Sequence, residues 1–446
     1  MCQCSLKCVL YVLQIILAAT VAASSGGGKS AISCSWQPYN SSLSCGVPEW
    51  NKKPIGHNNE KAAGRVDFSR LSSRHQREAT QRLIIDCDSH RIGLFGNPST
   101  SVALDYSAYN YYDLKPNKHR QRSKYYHWPL LKSIRINDCP TTGGNSISVF
   151  SNIYFSLFGG ARKNKQRSSV QSVDLSGNDL LSSLFSEATS SESRRQLGAE
   201  CHEFASSLQH LNLSGNAYRS WSDLNLDLCP GGGLKHLKTL NLKGNNIKAL
   251  YGTIKGLPSL EELLIGSNGL KEVQNDFLTG LSSLKKLDLS DNSLVGLDLG
   301  RLPNLTELNL HKNNFVSLPD GLGRGLQNLR VLNLSSNAIT SAGLSSPFAS
   351  LGDTLVALDL SYNRLGKVSS EIFRRLRKLE VLTLEGNGVY SLEADAFRDL
   401  INLRVLVLSQ NELTNLHPAS FWKLKHLHSL SLDQNLLSNL PRYVSL

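Results

Sequence analysis

Many features that mark enzymes and membrane-spanning proteins are missing from this chain of 446 residues. It contains no HExxH, no GxSxG and no pair of CxxC motifs, which argues against a metalloprotease, a serine hydrolase and a zinc module. Past residue 23 it has no apolar run of the roughly 20 residues that a membrane helix needs. Charged residues make up only 19% and hydrophobic residues 40%, which excludes a disordered tail and a coiled coil. We therefore predict no enzyme activity, no catalytic or metal-binding residues and no cofactor.

The first residues have the pattern of a secretory signal peptide. Lys7 supplies a positive charge, and residues 8–23 form the apolar run CVLYVLQIILAATVAA. Small residues at Val21 and Ala23 suit cleavage after Ala23. The alternative is a signal anchor that stays in the membrane, but the run is shorter than a span of roughly 20 residues. We predict that the mature chain is exported and soluble, with any membrane attachment made by a part absent from this sequence.

Cysteines and glycosylation sequons agree with export. Beyond the signal peptide an even number of cysteines remains, which favours disulfides in an oxidising compartment. They are Cys34, Cys45, Cys87, Cys139, Cys201 and Cys229, so the last half of the chain has none. Four Asn-x-Ser/Thr sequons are candidate glycosylation sites. Their asparagines are Asn40, Asn212, Asn304 and Asn333.

An internal repeat dominates the sequence from residue 237 onward. The stretch LKTLNLKGNNIKAL recurs as LEELLIGSNGLKEV, LKKLDLSDNSLVGL, LTELNLHKNNFVSL and five further copies of the template LxxLxLxxNxL. The template asparagines are Asn245, Asn268, Asn292, Asn313, Asn337, Asn363, Asn387, Asn411 and Asn435, in steps of 21 to 26 residues. Two looser copies are centred on Asn178 and Asn216. About eleven copies in all identify the leucine-rich repeat.

The template predicts an α/β leucine-rich repeat solenoid, a horseshoe with a concave parallel β-sheet and repeats of about 24 residues. Both leucines of LxL point to one face of a short strand and enter the core. The asparagine amide is expected to bond backbone groups of neighbouring coils. Phenylalanines that recur after the asparagine fill the core from the convex side, and we give them a packing role only. They are Phe277, Phe348, Phe373, Phe397 and Phe421.

The amino-terminal third departs from the regular repeat. Cys34 and Cys45 enclose a short loop typical of a disulfide-closed cap, and the segments RLIIDC and LLKSIRINDC have the alternation of two first coils. Cys87 and Cys139 are candidates to bridge their strand ends. The interval between the two segments is about twice one repeat, so an insertion intervenes. The predicted segments are a signal peptide at 1–23, a cap region at 24–82, irregular coils at 83–170 with the insertion at about 96–128, and the repeat array at 171–446.

The formal net charge of +12 is concentrated in this amino-terminal region. Residues 31–170 contain 20 Lys+Arg and 9 Asp+Glu, whereas residues 171–446 contain 26 and 27. The insertion interleaves tyrosines with bases, a combination that holds anions. In an exported protein the expected anion is a sulfated glycan or an acidic protein patch, and nucleic acid is not expected as the main partner. The alternative is a solvated loop whose tyrosines pack on the cap. The candidate anion-binding residues are Lys115, Lys118, Arg120, Arg122 and Lys124.

Side chains between the template leucines point out of the concave sheet and form a rigid surface suited to another macromolecule. We expect this surface to be polar, with one exposed aromatic residue and no apolar pocket for a small ligand. Asn212 and Asn333 lie on it too, so glycans there are expected to direct a protein ligand to the edges of the sheet. The candidate ligand-binding residues are Asp288, Ser290, Asn309, His311, Asp359, Tyr362, Thr383, Glu385, Ser409, Gln410, Asp433 and Gln434.

These features together resemble the ectodomain of the arthropod Toll receptor family. The matching features are the signal peptide, the Cys34–Cys45 cap region, the strand pair LIIDC and IRINDC, and a long Ser-rich coil that ends in a cysteine before the next repeat. The resemblance implies a protein ligand, either a cystine-knot cytokine or a cell-surface partner, and a role in innate immunity or development. The insertion is longer than that interval in the family. The family's C-terminal cap, membrane helix and TIR domain do not follow the array.

Two functions from different classes stay open. The first is a receptor-type recognition ectodomain whose entire activity is binding, and dimerisation with itself or another chain is open to it. The second is a secreted matrix or adhesion protein that binds glycans or proteins and never signals. Because the sequence stops at LPRYVSL, directly after a full repeat, we expect either a fragment of a longer cell-surface protein or a last coil that pairs with another molecule.

Overall fold

The structure is a computed structural model. It describes residues 170–178, 207–224, 234–322, 325–344 and 347–438, together with six short strands nearer the amino terminus. The chain divides into two compact units. The first contains Met1–Tyr218 and Ser222–Leu237, and the second contains Arg219–Trp221 and Lys238–Leu446.

The described part of the first unit is a mixed β-sheet of short strands. They are β1 (Ser33–Gln37), β2 (Ser42–Gly46), β3 (Arg82–Asp86), β4 (Arg91–Phe95), β5 (Ser101–Asp105), β6 (Ser133–Asn137), β7 (Ser172–Asp174) and β8 (His210–Asn212). Their order in space is β1-β2-β5-β4-β3-β6-β7-β8. The pairs β1–β2, β5–β4 and β4–β3 are antiparallel. From β3 onward the strands pair in parallel, as stacked coils do.

The two irregular segments of the sequence form the parallel pair β3 and β6. Leu83 lies opposite Ile134, and Ile85 lies opposite Ile136. Strands β4 and β5, which the sequence did not suggest, extend the sheet on the other side of β3, and β5 falls within the predicted insertion. In the β1–β2 hairpin the backbone register sets Cys34 directly opposite Cys45. The other candidate cysteines lie outside the described residues, namely Cys87, Cys139, Cys201 and Cys229.

The second unit is built on nine parallel strands in register. They are β9 (Thr239–Asn241), β11 (Glu262–Leu264), β13 (Lys286–Asp288), β14 (Glu307–Asn309), β15 (Val331–Asn333), β16 (Ala357–Asp359), β18 (Val381–Thr383), β20 (Val405–Val407) and β21 (Ser429–Ser431). Each pairs with the next, and template positions align across every pair. We number the coils that carry them 1 to 9. The array therefore has the predicted solenoid architecture.

Short elements connect these strands. The pairs β10 (Ala249–Leu250) with β12 (Glu272–Val273) and β17 (Lys367–Val368) with β19 (Ser391–Leu392) are also parallel. Single 3-10 turns lie at Trp221–Leu224, Ser341–Leu344, Pro347–Leu351 and Pro418–Phe421. Because each return segment is this short, one coil needs only about 24 residues, the step that the sequence shows.

The core contains the template leucines and a row of phenylalanines. The central leucine of each strand from β9 to β20 is at most 1% exposed, as Leu240, Leu308 and Leu406 illustrate. Burial of one such side chain stabilises the fold by roughly 1.5–3 kcal/mol. The ring of Phe397 stacks between Phe373 and Phe421, with centroids 6.0 and 6.2 Å away. Phe277 and Phe348 are fully buried as well, so the expected packing role of the phenylalanines is confirmed.

A ladder of asparagine side chains joins the coils, as Asn363 shows. Its Nδ2 donates to the carbonyl oxygen of Leu360 in its own coil and of Leu334 in the preceding coil, both at 2.9 Å. Its Oδ1 accepts from the backbone N–H of Ile339 at 3.0 Å. The same three-way bonding recurs at Asn268, Asn292, Asn313, Asn337, Asn411 and Asn435. The sequence-based expectation for these amides is confirmed.

Each coil leaves its strand through a residue in the left-handed conformation, immediately before the template asparagine. There φ lies between +53° and +69° in coils 1–9 and in the two looser copies centred on Asn178 and Asn216. Glycine holds the position in four coils, and an ordinary residue holds it in the others, namely Ser267, Asp291, Lys312, Ser336, Tyr362, Gln410 and Gln434. A left-handed conformation costs a residue with a Cβ roughly 1–2 kcal/mol, so the asparagine ladder must offset this strain in most coils.

Candidate protein-binding face

The outward side chains of the nine strands form one surface, which we call the sheet face. It consists of the third, fifth, seventh and eighth positions of LxxLxLxxN in coils 1–9. All twelve candidate ligand-binding residues lie on it, but their exposure differs. Exposed are Tyr362, Gln410, Asp433 and Gln434; partly buried are Ser290, Asn309, His311, Asp359, Thr383 and Glu385; buried are Asp288 and Ser409, at 4% and 5% exposure.

Several candidates at the fifth position also accept a hydrogen bond from the backbone at the end of their strand. The side-chain oxygens of Asp288, Asn309 and Asp359 accept from the backbone N–H two residues later, at 3.0, 3.1 and 2.9 Å. Asn333 does the same at 2.9 Å. Such Asx turns replace a backbone hydrogen bond where the strand stops. These side chains therefore have a local structural role whatever they bind.

Most of the charges on the sheet face of coils 1–4 are paired with one another. The face positions of these coils carry four carboxylates and three lysines, and every lysine is ion-paired with a face carboxylate. The pairs are Lys243 with Asp288, Lys286 with Glu307 at 2.9 Å, and Lys312 with Asp291 at 2.6 Å. The first four coils thus offer a partner little uncompensated charge.

The Lys243–Asp288 pair spans two coils because glycine lies between them. A Cβ at Gly266 would be a tight 3.0 Å from the Ser290 hydroxyl and in van der Waals contact with Cε of Lys243 at 3.5 Å, so glycine leaves room for both side chains. Burial opposes ionisation of Asp288, but hydrogen bonds from Lys243 and Ser290 outweigh it and hold the pKa of the carboxyl below its ordinary value of 3.8.

Coils 5–9 are different, because their face positions carry three carboxylates and no lysine, arginine or histidine. The carboxylates are Asp359, Glu385 and Asp433. Asp359 accepts from the Thr383 hydroxyl at 2.6 Å, and Asp433 accepts from the Ser409 hydroxyl at 2.5 Å. Glu385 accepts from the Tyr362 hydroxyl. Within the described residues none of the three carboxylates has an ion pair, so their negative charge is uncompensated.

Tyr362 is the exposed aromatic residue of this region, at 48% exposure. It occupies the left-handed eighth position of coil 6, and its ring lies across Gly386 of coil 7, where a Cβ comes within 2.6 Å of the ring. A hydrogen bond to Glu385, together with partial desolvation and the charge of that carboxylate, raises the pKa of the Tyr362 phenol. The glycine and the carboxylate therefore hold the ring flat on the sheet face.

A row of apolar side chains on the sheet face was not predicted from the sequence. The third position of four consecutive coils is Val331, Ala357, Val381 and Val405, which lie side by side in register. Val407 adds a fifth apolar side chain at the next outward position of β20. We call these five residues the apolar stripe. Val331 is 41% exposed, and the other four are partly exposed. The expectation of a uniformly polar face is therefore wrong for coils 5–8.

His311 and His428 have different surroundings. Nδ1 of His311 lies 2.8 Å from the Ser335 hydroxyl, which donates to Oδ1 of Asn333 at 2.6 Å. His428 is exposed on coil 9. Across the described residues, no cluster of three or more His, Cys, Asp or Glu has the geometry to hold a metal ion. Nor does this part of the chain include a helix long and apolar enough to span a membrane.

Three of the four sequons fall within described residues. Asn304 is exposed, and its Nδ2 donates to the carbonyl oxygen of Ser282 at 2.7 Å. Asn212, in the first unit, donates to Asp174 at 2.9 Å, and Asn333 lies on the sheet face beside Val331. Asn40 and the five candidate anion-binding residues, at 115–124, lie outside the described residues.

Comparisons with known proteins agree with this architecture. The profile of the family described as "Leucine rich repeat" matches residues 230–270, 258–303, 303–352 and 377–437. These matches lie almost entirely within the second unit, whose nine in-register strands all pair in parallel. The fold is thus a leucine-rich repeat solenoid, which in general is a scaffold for protein interaction.

Individual relatives match only parts of their own length. The chain is 32% identical over 187 residues to Toll-like receptor 9 of Ovis aries, covering 41% of this chain and 17% of that protein. It is 40% identical over 65 residues to vasorin of Xenopus tropicalis, covering 15% and 10%. A leucine-rich repeat protein of Leptospira interrogans, a solved structure, is 26% identical with a TM-score of 0.47, covering 71% and 76%. The matches thus span less than a fifth of the curated relatives.

Proposed function

We propose that this chain is the extracellular ligand-recognition ectodomain of a Toll-like receptor, and that its activity is to bind a protein. The observation that carries the proposal is the sheet face, in which nine in-register strands present outward side chains on a hydrogen-bonded backbone. An extended, rigid face of this kind suits a macromolecule. On this proposal the ligand is a cystine-knot cytokine-like protein or a cell-surface partner, in innate immunity or developmental signalling.

Two further observations support the proposal. The chain starts with the pattern of a secretory signal peptide, followed by an even number of cysteines and four sequons. The match to ovine Toll-like receptor 9 extends over 187 residues, many times the length of one repeat. We propose on these grounds that the chain is exported, and that the segments at 24–82 and 83–170 precede the array as cap and irregular coils.

The second candidate function is a secreted leucine-rich repeat protein of the matrix or of adhesion, which binds glycans or proteins without signalling. The observation that favours it is the basic, Tyr-rich insertion, which is suited to a sulfated glycan. A heparin column tests the insertion as an anion site. We expect the chain to elute at higher salt than a variant in which Lys115, Lys118, Arg120, Arg122 and Lys124 are neutralised. Elution at the same or lower salt excludes the insertion as an anion site.

The transcript downstream of the Leu446 codon separates the two functions. A membrane-spanning segment followed by a TIR domain supports the receptor, whereas an in-frame stop codon favours the secreted protein. The sequence of a single full-length cDNA is sufficient. The result is independent of which ligand the sheet face binds.

Covalent features follow from export and are tested together. We propose a disulfide between Cys34 and Cys45, whose positions lie opposite in the β1–β2 register, and a second between Cys87 and Cys139. The four sequons stay candidate N-glycan sites, and occupancy of Asn333, beside Val331 on the sheet face, excludes a partner from coil 5. Peptide mapping of secreted protein by mass spectrometry, without reduction and before and after glycan removal, identifies both. If Asn212 and Asn333 are unmodified, glycans do not direct a ligand away from the sheet face.

A further inference from the structure

We propose that the sheet face of coils 5–9 binds a protein segment in which lysine or arginine residues lie beside apolar residues. This inference rests on the proposed function, since it assumes that the sheet face recognises a protein, and it adds the location and the chemistry of the partner. Two properties of the sheet face change between coils 4 and 5: the face carboxylates lose their lysine partners, and apolar side chains become exposed. Together these two properties indicate the chemistry of the partner.

Charge distinguishes the two halves of the sheet face. In coils 1–4 all three lysines are paired with carboxylates of the same face, which leaves Glu262 as the single face carboxylate there without an ion pair in the described residues. Among the described residues, the carboxylates of Asp359, Glu385 and Asp433 in coils 5–9 are bonded only to hydroxyl or backbone N–H groups. A cation that approaches them therefore gains attraction without displacing another cation.

The apolar stripe runs beside these carboxylates. Four of its residues occupy the third position of coils 5–8 and Val407 occupies the fifth, whereas Asp359 is at the fifth position and Glu385 and Asp433 are at the seventh. Positions three and seven of one coil are separated by at most roughly 13 Å, because an extended residue advances about 3.3 Å. A segment laid across the coils between the two rows reaches valines on one side and carboxylates on the other.

Tyr362 strengthens the preference for a cation. Its ring is exposed and is held between Gly386 and Glu385, next to the row of carboxylates. An exposed aromatic face attracts a lysine or arginine side chain by roughly 0.5–1 kcal/mol, and more when water is excluded. On the other side of the stripe Arg404 is paired with Glu380 at 3.2 Å. The negative side of the stripe is therefore the one that attracts the basic residues of a partner.

Short peptides provide a direct test with the secreted full chain. The first probe is the fluorescent peptide KVKVKVKV. Extended, it spans roughly 26 Å, which exceeds the width of five strands spaced about 4.8 Å apart. We expect it to bind at least about tenfold more tightly than KSKSKSKS, which lacks the apolar side chains. The acidic peptide EVEVEVEV is expected not to bind. Fluorescence anisotropy gives all three affinities.

Variants of the chain locate the site. We expect the pair Glu385→Gln and Asp433→Asn to weaken binding of KVKVKVKV about tenfold and to reduce its dependence on salt. The pair Val381→Thr and Val405→Thr, which keeps side-chain size, is expected to weaken binding by a similar factor. The matched control Glu307→Gln removes a carboxylate of the same face that is already paired with Lys286, and it is expected to change binding less than twofold. Unchanged denaturation midpoints show that the variants remain folded.

The outcomes separate this inference from the proposed function. Binding of EVEVEVEV as tight as that of KVKVKVKV overturns the inference, as does an equal loss in Glu307→Gln and in the Glu385 and Asp433 variant. If a protein ligand is found whose binding is reduced by changes in coils 1–4 alone, the location and chemistry proposed here are wrong, but protein recognition by the sheet face stands. If no protein binds either half of the sheet face, both proposals fail.

Discussion

At the scale of single residues, the polar positions of the repeat have distinct physical roles. The template asparagine is buried and bonds three backbone groups, as Asn363 does. The fifth-position residue closes the end of the strand, and the eighth-position residue carries left-handed strain. Because the buried asparagine satisfies groups that no water reaches, it is the position where a small change should cost the most.

Replacement of the ladder asparagine of coil 6 tests this role. Asn363→Ala leaves the N–H of Ile339 and the carbonyl oxygens of Leu334 and Leu360 without their side-chain partner. We expect the free energy of unfolding to fall by about 2–4 kcal/mol, since each buried unpaired group costs about 1–3 kcal/mol. The denaturant midpoint measures the loss. The control Asn314→Ala, at an exposed position, should change stability by less than about 0.5 kcal/mol.

Alanine substitutions at two neighbouring glycines distinguish the cost of backbone strain from the cost of a steric contact. Gly386 and Gly388 have φ of +65° and +59°, so alanine at either should cost roughly 1–2 kcal/mol. A Cβ at Gly388 comes no closer than 3.7 Å to another atom, whereas at Gly386 it approaches the Tyr362 ring to 2.6 Å. We expect Gly386→Ala to lower the thermal midpoint more than Gly388→Ala does. The difference should vanish in a Tyr362→Ala background, and its persistence there contradicts the assigned contact.

Asp288 predicts part of the pH dependence of stability. Despite burial, hydrogen bonds from Lys243 and Ser290 lower the pKa of Asp288 in the folded state. This stabilisation is therefore complete above the unfolded pKa, near 3.8, and is lost as pH falls through the lower folded pKa. We expect Asp288→Asn to lower stability by about 1–2 kcal/mol at pH 7.

Acid titration provides the sharper comparison. The stability difference between Asp288→Asn and the unmodified chain should shrink as the pH is lowered below about 4. The control Asp320→Asn, at an exposed carboxylate with no ion pair in the described part of the chain, should change stability by less than about 0.5 kcal/mol at pH 7. A difference for Asp288→Asn that stays constant to low pH contradicts the assigned contribution.

At the scale of elements, each coil contributes a strand, an asparagine and a side chain on the convex side. None of these is stable unless the adjacent coils pack against it. Phe397 illustrates this dependence, because its ring lies between the rings of the two adjacent coils at 6.0 and 6.2 Å. A coil that loses such a ring loses contacts on both sides at once. Local changes are therefore expected to weaken adjacent coils together.

Truncation of this ring tests the coupling. Phe397→Ala removes a side chain that is 1% exposed, and we expect a loss of about 3–5 kcal/mol. Hydrogen exchange should accelerate in coils 6, 7 and 8 together. The control Trp422→Ala removes an aromatic side chain that is 61% exposed and makes a cation–π contact with Lys423. It should lower the free energy of unfolding by less than about 1 kcal/mol. Faster exchange confined to coil 7 contradicts the coupling.

The regular elements could be predicted from the sequence because their causes are local and repeated. The leucines, the asparagine ladder and the buried phenylalanines each follow from one template position. The left-handed eighth position was not predicted, because ordinary residues such as Lys312 and Gln410 occupy it more often than glycine does. Strands β4 and β5 were missed as well, since they form consecutive antiparallel pairs after β3, and their sequences do not repeat the template.

The candidate site was predicted only in part, for a related reason. The side chains that face outward were identified, but burial of Asp288 depends on Lys243 crossing Gly266 from two coils away. That contact joins three repeats and is not visible in any one of them. The apolar stripe had a signal that was overlooked, because the third position of four consecutive template copies is valine or alanine.

At the scale of the whole molecule, charge and apolar surface are unevenly distributed along the chain. The formal net charge of +12 comes from the residues before 171, whereas the three carboxylates on the sheet face of coils 5–9 have no ion pair with a described residue. The two compact units therefore differ in the partners that their charges favour. A basic amino-terminal region suits a sulfated glycan or acidic protein, and the carboxyl-terminal coils suit a basic protein.

Site-specific photocrosslinking tests the central claim most directly, namely that the sheet face of coils 5–9 recognises a protein. Secreted chain with p-benzoylphenylalanine in place of Val381 is incubated with living cells and irradiated, beside a control with the same group in place of exposed Trp422, which lies outside the sheet face. We predict a defined protein adduct from the Val381 position alone, abolished by Glu385→Gln with Asp433→Asn and identified as a protein with a basic surface segment. Equal adducts from both positions, or an adduct from the Trp422 position alone, contradict the claim.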